Sequence, residues 1–313
     1  MDALLRFVLD PAHRPLAIEE LRGWWDATAA LRATWTDPFD RAFAGGACAD
    51  RIGFAFVCGY TEALRALVPD LLPGSITALC ATEEGGAYPR AIHTRLVKVG
   101  PGRYELSGRK KWATVASTAS SLLVVASTGE EGGKNRLRVV RVRADAPGVR
   151  LRSSTAVFVP EIPHAEVEFD GVIASDADVL PGDGYDAYLK PFRTIEDIHV
   201  HAALAGYLIG VARRRGFPRD LQERLLVLAV ATRSFAHADP KAATTHVAFA
   251  GLLEVVHRLV GEIESLWAAV PDAEWSRWQR DRALLRVASS ARAARRERAW
   301  SILDSVAPAG SPA

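Results

Sequence analysis

The spacing of apolar residues changes character twice along this chain, and this change limits the folds that it can adopt. Residues 16–31 and 49–68 carry apolar side chains at the spacing of amphipathic helices. Between residues 75 and 183 the pattern becomes that of short strands separated by glycine and proline turns. From residue 184 the helical spacing returns. We therefore expect an α+β multidomain protein with helices, then a β-domain, then helices.

The central and final regions each predict a recognisable architecture. Strands are predicted at residues 92–99, 104–106, 122–126, 137–143, 157–159 and 165–169. Such short strands with frequent turns favour a β-sandwich or barrel. Helices are predicted at residues 194–212, 220–235, 241–267 and 273–306, with short connections that favour an antiparallel four-helix bundle. The predicted domains are an N-terminal helical domain at 1–74, a central β-domain at 75–183 and a C-terminal helical bundle at 184–313.

Composition excludes several classes of partner and site. The formal net charge is +2, so no strong electrostatic field draws the chain to nucleic acid or to a membrane surface. No apolar run reaches the roughly 20 residues of a membrane helix. The first residues lack the pattern of a secretory signal, and Cys48, Cys58 and Cys80 are too scattered for a disulfide framework. We expect a cytoplasmic protein, and no metal site, because no Cys/His cluster has ligand spacing.

Two short segments of the central region carry the chemical information. The first reads Leu-Cys-Ala-Thr-Glu-Glu-Gly-Gly at residues 79–86, and the second reads Leu-Ser-Gly-Arg-Lys-Lys-Trp-Ala-Thr at residues 106–114. Glycines let a loop approach a ligand closely, and a tryptophan can cover one face of a flat ring. Threonine hydroxyls can donate hydrogen bonds to such a ring. Each segment alone is also typical of a glycine turn or of a core tryptophan on a strand.

In this order the two segments resemble a pair of motifs in the acyl-CoA dehydrogenases. In that family a Thr-Glu-x-x-Gly loop and a Gly-x-Lys-x-Trp-x-Thr/Ser strand flank a flavin ring. Helices, a β-domain and a four-helix bundle are also the domain order of that family. The resemblance is specific in the β-domain, about a third of the chain, and architectural elsewhere. It implies FAD as the cofactor, an acyl-CoA or acyl-carrier thioester as the substrate, an electron acceptor, and a homodimer or homotetramer.

The resemblance also implies which residues bind each ligand. The cofactor-binding residues are Leu79, Ala81, Thr82, Trp112, Ala113 and Thr114. The substrate-binding residues are Gly85, Gly86 and Tyr88. Two positions depart from the family pattern, since Glu84 stands where a proline is usual and Tyr88 where a serine usually contacts the substrate.

Desaturation of an acyl thioester also requires a base, which is a carboxylate with a pKa raised by desolvation. Most of the family places this glutamate near the chain end, beside a Tyr-x-Gly-x-Gly segment that this chain lacks. The isovaleryl- and long-chain acyl-CoA dehydrogenases instead place it ten residues before a glycine, on the first helix of the bundle. Glu196 stands ten residues before Gly206. The resemblance therefore implies that Glu196 is the catalytic base.

The surroundings of Glu196 leave alternatives open. Ala203, Gly206 and Gly210 share its helix face, which indicates either room for a ligand or close helix packing. Glu196 and Asp197 also suit the first turn of a helix, where acids favour the helix dipole.

Three functions remain compatible with the sequence. The leading prediction is an FAD-dependent oxidoreductase that acts on the CH–CH group of an acyl thioester. A flavin-dependent monooxygenase of the same fold is the second, since His199 and His201 lie next to Glu196. The third is a catalytically silent relative that acts as a subunit or binding module.

Overall fold

The computed structural model describes residues 1–154 and 158–305, and its N-terminal region is helical, as predicted. The helices are α1 (Asp2–Leu9), α2 (Leu21–Ala27), α3 (Ala29–Thr34), α4 (Pro38–Cys48) and α5 (Ile52–Leu67). α5 confirms the helix predicted at 49–68. The helix predicted at 16–31 starts later and is interrupted at Thr28, whose hydroxyl donates to the carbonyls of Trp24 and Trp25.

Helix α4 has no counterpart in the predictions from periodicity. It begins because the Asp37 carboxylate accepts hydrogen bonds from the backbone N–H groups of Phe39 and Asp40, and because Pro38 occupies the first turn. Residues 42–48 are all buried. Most of this buried stretch is alanine or glycine, and such small side chains mark no clear apolar stripe in the sequence. The Asp-Pro pair was the signal that could have identified it.

The described strands form one sheet, which is the predicted central β-domain in the form of a half-barrel. They are β1 (Thr77–Cys80), β2 (Arg95–Gly100), β3 (Arg103–Thr114), β4 (Ser121–Glu131), β5 (Lys134–Arg143), β6 (Val149–Ser154) and β7 (His164–Ser175). The order is β1-β4-β2-β3-β7-β6, with β5 paired to β4. Of the strand predicted at 157–159, Val157 lies outside the described residues. Phe158 and Val159 are not in a strand, and the φ angle of Val159 is +47°.

The C-terminal region confirms the predicted helical bundle with one correction. Its helices are α6 (Lys190–Arg214), α7 (Arg219–Ser234), α8 (Ala243–Ala268), α9 (Ala273–Asp281) and α10 (Ser289–Ser305). The single helix predicted at 273–306 is wrong, because a 3₁₀ turn at Arg282–Arg286 separates α9 from α10. The fully buried Asp281 accepts a hydrogen bond from Val159 N, which ties the end of α9 to the β-domain. Residues 306–313 lie outside the described residues, and the domain boundaries stay predictions.

Helix α6 lies at the centre of the helical layers, and small residues let its neighbours approach closely. A Cβ added to Gly206 would lie 2.2 Å from the carbonyl oxygen of Phe43 on α4. A Cβ added to Gly46 on α4 would lie 1.9 Å from the carbonyl oxygen of Ala203. The small residues Ala203 and Gly206 therefore pack against α4. At these two positions the small side chains serve close helix packing and do not leave room for a ligand.

We expect Gly206→Ala to destabilise the protein by about 1–3 kcal/mol or more, because the new methyl group overlaps a backbone carbonyl that cannot move alone. Gly251→Ala on α8 is the matched control, since nothing lies within 4 Å of its added Cβ. It should stabilise by roughly 0.5–1 kcal/mol through helix propensity. Urea denaturation measures both changes, and equal stability of the two variants would contradict the close α4–α6 packing.

Candidate active site

The structure brings the two motif segments of the β-domain into direct contact. The backbone N–H of Lys111 donates to the carbonyl oxygen of Thr82 at 2.8 Å. Leu79 lies near the end of β1 and Ala81 directly follows this strand, and the Leu79 N–H donates to the hydroxyl of Tyr60 on α5 at 2.8 Å. The loop that follows β1 is thus joined to β3 through the backbone, which is what a site shared by both segments requires.

A buried ion pair holds the two segments together, and the sequence reasoning did not identify it. The ammonium group of Lys110 donates to Glu83 Oε1 at 2.7 Å and to the Ala81 carbonyl at 3.3 Å. Glu83 also accepts from the backbone N–H groups of His93 at 2.8 Å and Thr94 at 3.0 Å. Burial opposes the charge on Glu83, but Lys110 and these N–H groups hold the pKa of the carboxyl below its ordinary value. The pair fixes the loop that carries Thr82.

Trp112 has the geometry of a platform for a flat ligand. Its side chain is 64% exposed, although large aromatic side chains are usually covered in a folded protein. Its backbone has φ +58°, a conformation that is strained for a bulky residue. The neighbouring Ala113 is buried, and Thr114 is half-buried. An exposed indole face near Thr114 fits a planar aromatic ring such as the flavin of FAD.

Trp112 and Thr114 line one cavity together with Glu196. The cavity has a volume of about 580 Å³ and lies between β3, the segment at 158–164 and helices α5, α6 and α10. Its wall is mainly apolar, formed by Ile52, Ala55, Phe56, Phe158, Val159, Val200, Leu204, Leu284, Leu285, Val287 and Ala288. Its polar members are Thr114, His164, Glu196, Asp197, His201 and Arg292, with the indole of Trp112. A mostly apolar cavity with a few convergent polar groups is the usual form of a small-molecule site.

Glu196 is half-buried in this cavity, and this position raises its pKa. Burial, and to a smaller degree the neighbouring charge of Asp197, raise the pKa of Glu196 to about 8. The positive charges of Arg292, Arg295 and Arg193 act in the opposite direction. A carboxylate with a pKa near neutrality is suited to accept a proton.

Asp197 has a different role from the one that a first-turn acid would have. It is buried and receives hydrogen bonds from Arg292 Nε at 2.9 Å and Arg292 Nη2 at 2.7 Å, and it also pairs with Arg295. Both arginines belong to α10, so the ion pairs attach α10 to α6 beside the cavity. They join residues about a hundred positions apart in the chain, so no local sequence pattern indicated them.

The two histidines on α6 differ in their surroundings. Both are buried, and both place Nδ1 against a carbonyl oxygen one turn earlier, at 2.8 Å for His199 and 2.6 Å for His201. His201 lines the cavity, whereas His199 packs edge-on against Phe39 of α4. Burial lowers the pKa of His201 to about 4, with Arg292 acting in the same direction, so the ring is neutral at physiological pH.

The predicted substrate residues lie outside the cavity that contains Glu196. Gly85 and Gly86 form a turn that is closed by hydrogen bonds between the backbones of Glu83 and Gly86, at 2.9 and 3.0 Å. Tyr88 is 43% exposed and lines a separate, larger cleft of about 1230 Å³ between β2, the β4–β5 hairpin and residues 183–186. The structure therefore unites Trp112, Thr114 and Glu196, but places Tyr88 elsewhere. The assignment of the ligand-binding residues stays a prediction.

Other kinds of site have no support among the residues that the structure describes. Residues 1–154 and 158–305 contain no group of three or more His, Cys, Asp and Glu side chains able to hold a metal ion. All three cysteines are buried and unbridged, and burial raises the pKa of each thiol, so none is a reactive thiolate. Within the same ranges, no helix has both the length and the apolarity needed to cross a bilayer.

We expect Trp112→Ala to lose flavin while the protein stays folded. Because the indole is 64% exposed, its removal leaves no cavity in the core. If the flavin stacks on this indole, its loss should weaken flavin binding by about 3 kcal/mol, or roughly a hundredfold in affinity. Flavin content after gel filtration and the melting temperature measure the two effects separately. Trp112→Phe, which keeps an aromatic face, should retain more flavin, and unchanged flavin occupancy in Trp112→Ala would reject this placement of the ring.

Comparison with known proteins identifies relatives of the central β-domain. Residues 78–172 match the family model described as acyl-CoA dehydrogenase, middle domain. Over 114 residues the chain is 29% identical to 3-sulfinopropanoyl-CoA desulfinase of Paraburkholderia xenovorans (strain LB400), a match that covers 36% of this chain and 29% of that protein. The chain thus matches less than a third of this relative's length.

Solved structures share the fold over nearly the whole chain. Butyryl-CoA dehydrogenase from Megasphaera elsdenii superposes with a TM-score of 0.67 at 14% identity, covering 96% of this chain and 88% of that one. Dibenzothiophene monooxygenase (TdsC) from Paenibacillus sp. A11-2 superposes with a TM-score of 0.69 at 15% identity, covering 96% and 94%. At such identities the likeness concerns the fold and not the activity. Residues 78–172 thus belong to the acyl-CoA dehydrogenase middle-domain family, and the chain as a whole, with its helices on either side, has the fold of the acyl-CoA dehydrogenases.

Proposed function

We propose that this protein is an FAD-dependent oxidoreductase that desaturates an acyl thioester between its α- and β-carbons. The observation that carries the proposal is the position of Glu196, a carboxyl with a pKa of about 8, in a mainly apolar cavity that Trp112 and Thr114 also line. A base and a platform for a flat ring in one cavity are the arrangement that this reaction needs. Family membership supports the cofactor.

The residues around the cavity have separate roles in the proposed reaction. Glu196 takes the α-proton, and the electron pair of that C–H bond forms the new double bond as the β-hydride leaves. A bound flavin supplies the hydride acceptor and so takes up the two electrons, which an external electron acceptor later removes. The apolar wall around Glu196 excludes water, which keeps the carboxylate basic. Asp197 and its arginine partners hold α10 as one side of that wall.

The cofactor would be held by the two segments that meet at Thr82 and Lys111. Thr82 and Thr114 offer hydroxyl groups to the ring edge, and Trp112 offers its indole to one face. Leu79, Ala81 and Ala113 are buried or half-buried, so we infer that they contribute backbone groups and packing. Gly86 has φ +111°, a conformation that glycine adopts without strain, and it lets the loop turn sharply behind Thr82.

The large cleft beside Tyr88 is our candidate for the carrier part of the thioester. Arg90, Arg95, Lys98, Lys134 and Arg136 line it, with Glu130, Asp183 and Asp186 also present. These cations suit a phosphate of coenzyme A or of a carrier protein's prosthetic arm. Arg193, one turn before Glu196, donates to the Ala87 carbonyl at 3.4 Å. The loop that carries Tyr88 is therefore next to α6, which supports one substrate reaching both places.

We also infer that the protein forms a homodimer or homotetramer. Helices α7 and α8 expose Val227, Val230 and Val255, which are apolar side chains that solvent does not favour. A second copy of the chain is the partner that the family membership implies.

The absorption spectrum of the purified protein and its response to thioester test the proposal. A bound flavin that bleaches without oxygen when an acyl-CoA is added supports desaturation. A bound flavin that thioesters leave unchanged, but that consumes oxygen once reduced in the presence of an aromatic substrate, would favour a monooxygenase. A protein that never binds flavin would be a silent relative.

We expect the rate of flavin bleaching to rise with pH, because Glu196 must lose its proton before it can act as a base. With a pKa of about 8, the active fraction increases roughly tenfold per pH unit below that value and levels off above it. Rapid-mixing measurements between about pH 6 and about pH 9.5 at saturating thioester would show this profile. A rate that is constant over the range would contradict a high pKa for the base.

A further inference from the structure

We propose that His201 selects substrates whose acyl group carries a hydrogen-bond donor, a hydroxyl or an N–H, on an otherwise apolar chain. The inference rests on the proposed function, since it names the class of acyl group that the cavity accepts. His201 is 4% exposed and is one of the few polar side chains that line the cavity.

The hydrogen bonding of the ring fixes which nitrogen carries the proton. Nδ1 lies 2.6 Å from the carbonyl oxygen of Asp197, and a carbonyl only accepts hydrogen bonds. Nδ1 is therefore the donor. In a neutral imidazole the other nitrogen, Nε2, is then an acceptor. The lowered pKa of His201, about 4, keeps the ring in this neutral form throughout the physiological range.

The acceptor has no protein partner in the described part of the chain. Nδ1 faces the backbone of α6, so Nε2 lies on the opposite side of the ring, away from its own helix. Phe249 meets the ring edge-on with centroids 5.8 Å apart and offers no donor. Of the other α6 side chains that line the cavity, Val200 and Leu204 are apolar, and Glu196 and Asp197 are acids. Arg292 also lines it, but its hydrogen bonds go to Asp197 and to the Leu285 carbonyl. A ligand that fills the cavity without supplying a donor leaves this acceptor unpaired, which is unfavourable, so a ligand that carries a donor should bind more tightly than a purely apolar one.

The position of His201 along α6 indicates where the donor lies on the substrate. It is five residues beyond Glu196, which corresponds to about 7.5 Å along the helix axis. The reacting α-carbon lies at Glu196, so the donor belongs several bonds further along the acyl chain. A terminal hydroxyl on a six-carbon acyl group is a suitable probe.

The test compares 6-hydroxyhexanoyl-CoA with 6-fluorohexanoyl-CoA, which differ in the donor and little in size. Isothermal titration of the flavin-loaded protein gives the dissociation constant of each. We expect the preference for the hydroxy compound over the fluoro compound to be about tenfold stronger in the parent than in His201→Phe. This substitution removes the acceptor and keeps an aromatic ring. His199→Phe is the matched control, because His199 has the same backbone hydrogen bond and does not line the cavity. It should keep the preference of the parent.

A second pair of probes separates this proposal from the thioester chemistry. Indole and benzofuran have similar shapes, and only indole has an N–H donor. If the parent binds neither thioester, the proposed function fails, and the indole pair still decides the role of His201. If the parent prefers the donor in neither pair, or if the preference persists in His201→Phe, the proposal is wrong. Comparing the probes on the parent alone keeps the test decisive should His201→Phe not fold.

Discussion

Glu196→Gln is expected to slow flavin reduction by acyl thioester by about 10²–10⁴-fold, the loss typical of removing a positioned acid–base group. The amide has the size and shape of the carboxyl, so the cavity that the half-buried Glu196 lines should keep its form. It cannot accept the α-proton, however. Flavin content and thioester affinity should change little, because neither depends on the carboxylate. Anaerobic rapid mixing of each protein with the same acyl-CoA measures the difference as a bleaching rate.

The choice of control for this variant follows from the structure. Asp197, the neighbouring acid, is unsuitable, since its carboxylate pairs with Arg292 and Arg295 and its charge raises the pKa of Glu196. Glu223→Gln on α7 is suitable, because Glu223 is exposed and lines none of the cavities described above. It should leave the bleaching rate unchanged. If Glu196→Gln reduces flavin as fast as Glu223→Gln, the base lies elsewhere in the protein.

Lys110→Met should destabilise the protein by about 3–5 kcal/mol, which is the usual effect of removing one partner of a buried ion pair. Lys110 is fully buried and Glu83 nearly so, and the substitution leaves the Glu83 carboxylate without its counter-charge. The loop carrying Thr82 should then move away from β3, so flavin should be lost as well. Denaturation by urea and the flavin content of the purified variant measure the two consequences.

The double variant Glu83→Gln/Lys110→Met is the control for this experiment. It removes both charges, while the single glutamine oxygen can still accept from one of the two N–H groups, those of His93 and Thr94, that donate to the two oxygens of Glu83. Removing both charges of a buried pair is much less unfavourable than removing one. We therefore expect most of the stability to return. If the double variant is as unstable as Lys110→Met, packing of the lysine side chain, and not its charge, holds the loop.

Local patterns in the sequence predicted most of the fold. The change of apolar spacing located the β-domain and the helices on either side. Apolar residues repeat every two positions in a strand and about every 3.6 positions in a helix, and these patterns differ even over short segments. These patterns did not reveal α4, whose buried stretch is mostly alanine and glycine. They also joined α9 to α10, because the contact between Asp281 and Val159 that accompanies the break joins residues far apart in the chain.

The site was predictable only where a motif is local. Thr82 and Trp112 were identified from two segments whose residue types suit a flat ring, and the structure places those segments in contact. The groups that set the chemistry of Glu196 come from elsewhere, since Arg292 and Arg295 reach Asp197 across about a hundred residues. Nothing in the local sequence of α10 distinguishes these arginines from its solvated ones. The same holds for His201, whose neutral state depends on burial that only the folded chain provides.

The most direct test of Glu196-assisted desaturation compares unlabelled hexanoyl-CoA with its α,α-dideuterated form. Anaerobic rapid mixing with the flavin-loaded parent records the bleaching rate for each. We predict that both compounds bleach the flavin and that the deuterated compound does so several-fold more slowly, because the α-C–H bond breaks in that step. Flavin that no acyl-CoA bleaches, or bleaching at equal rates for both compounds, would contradict removal of the α-proton as the reaction of this site.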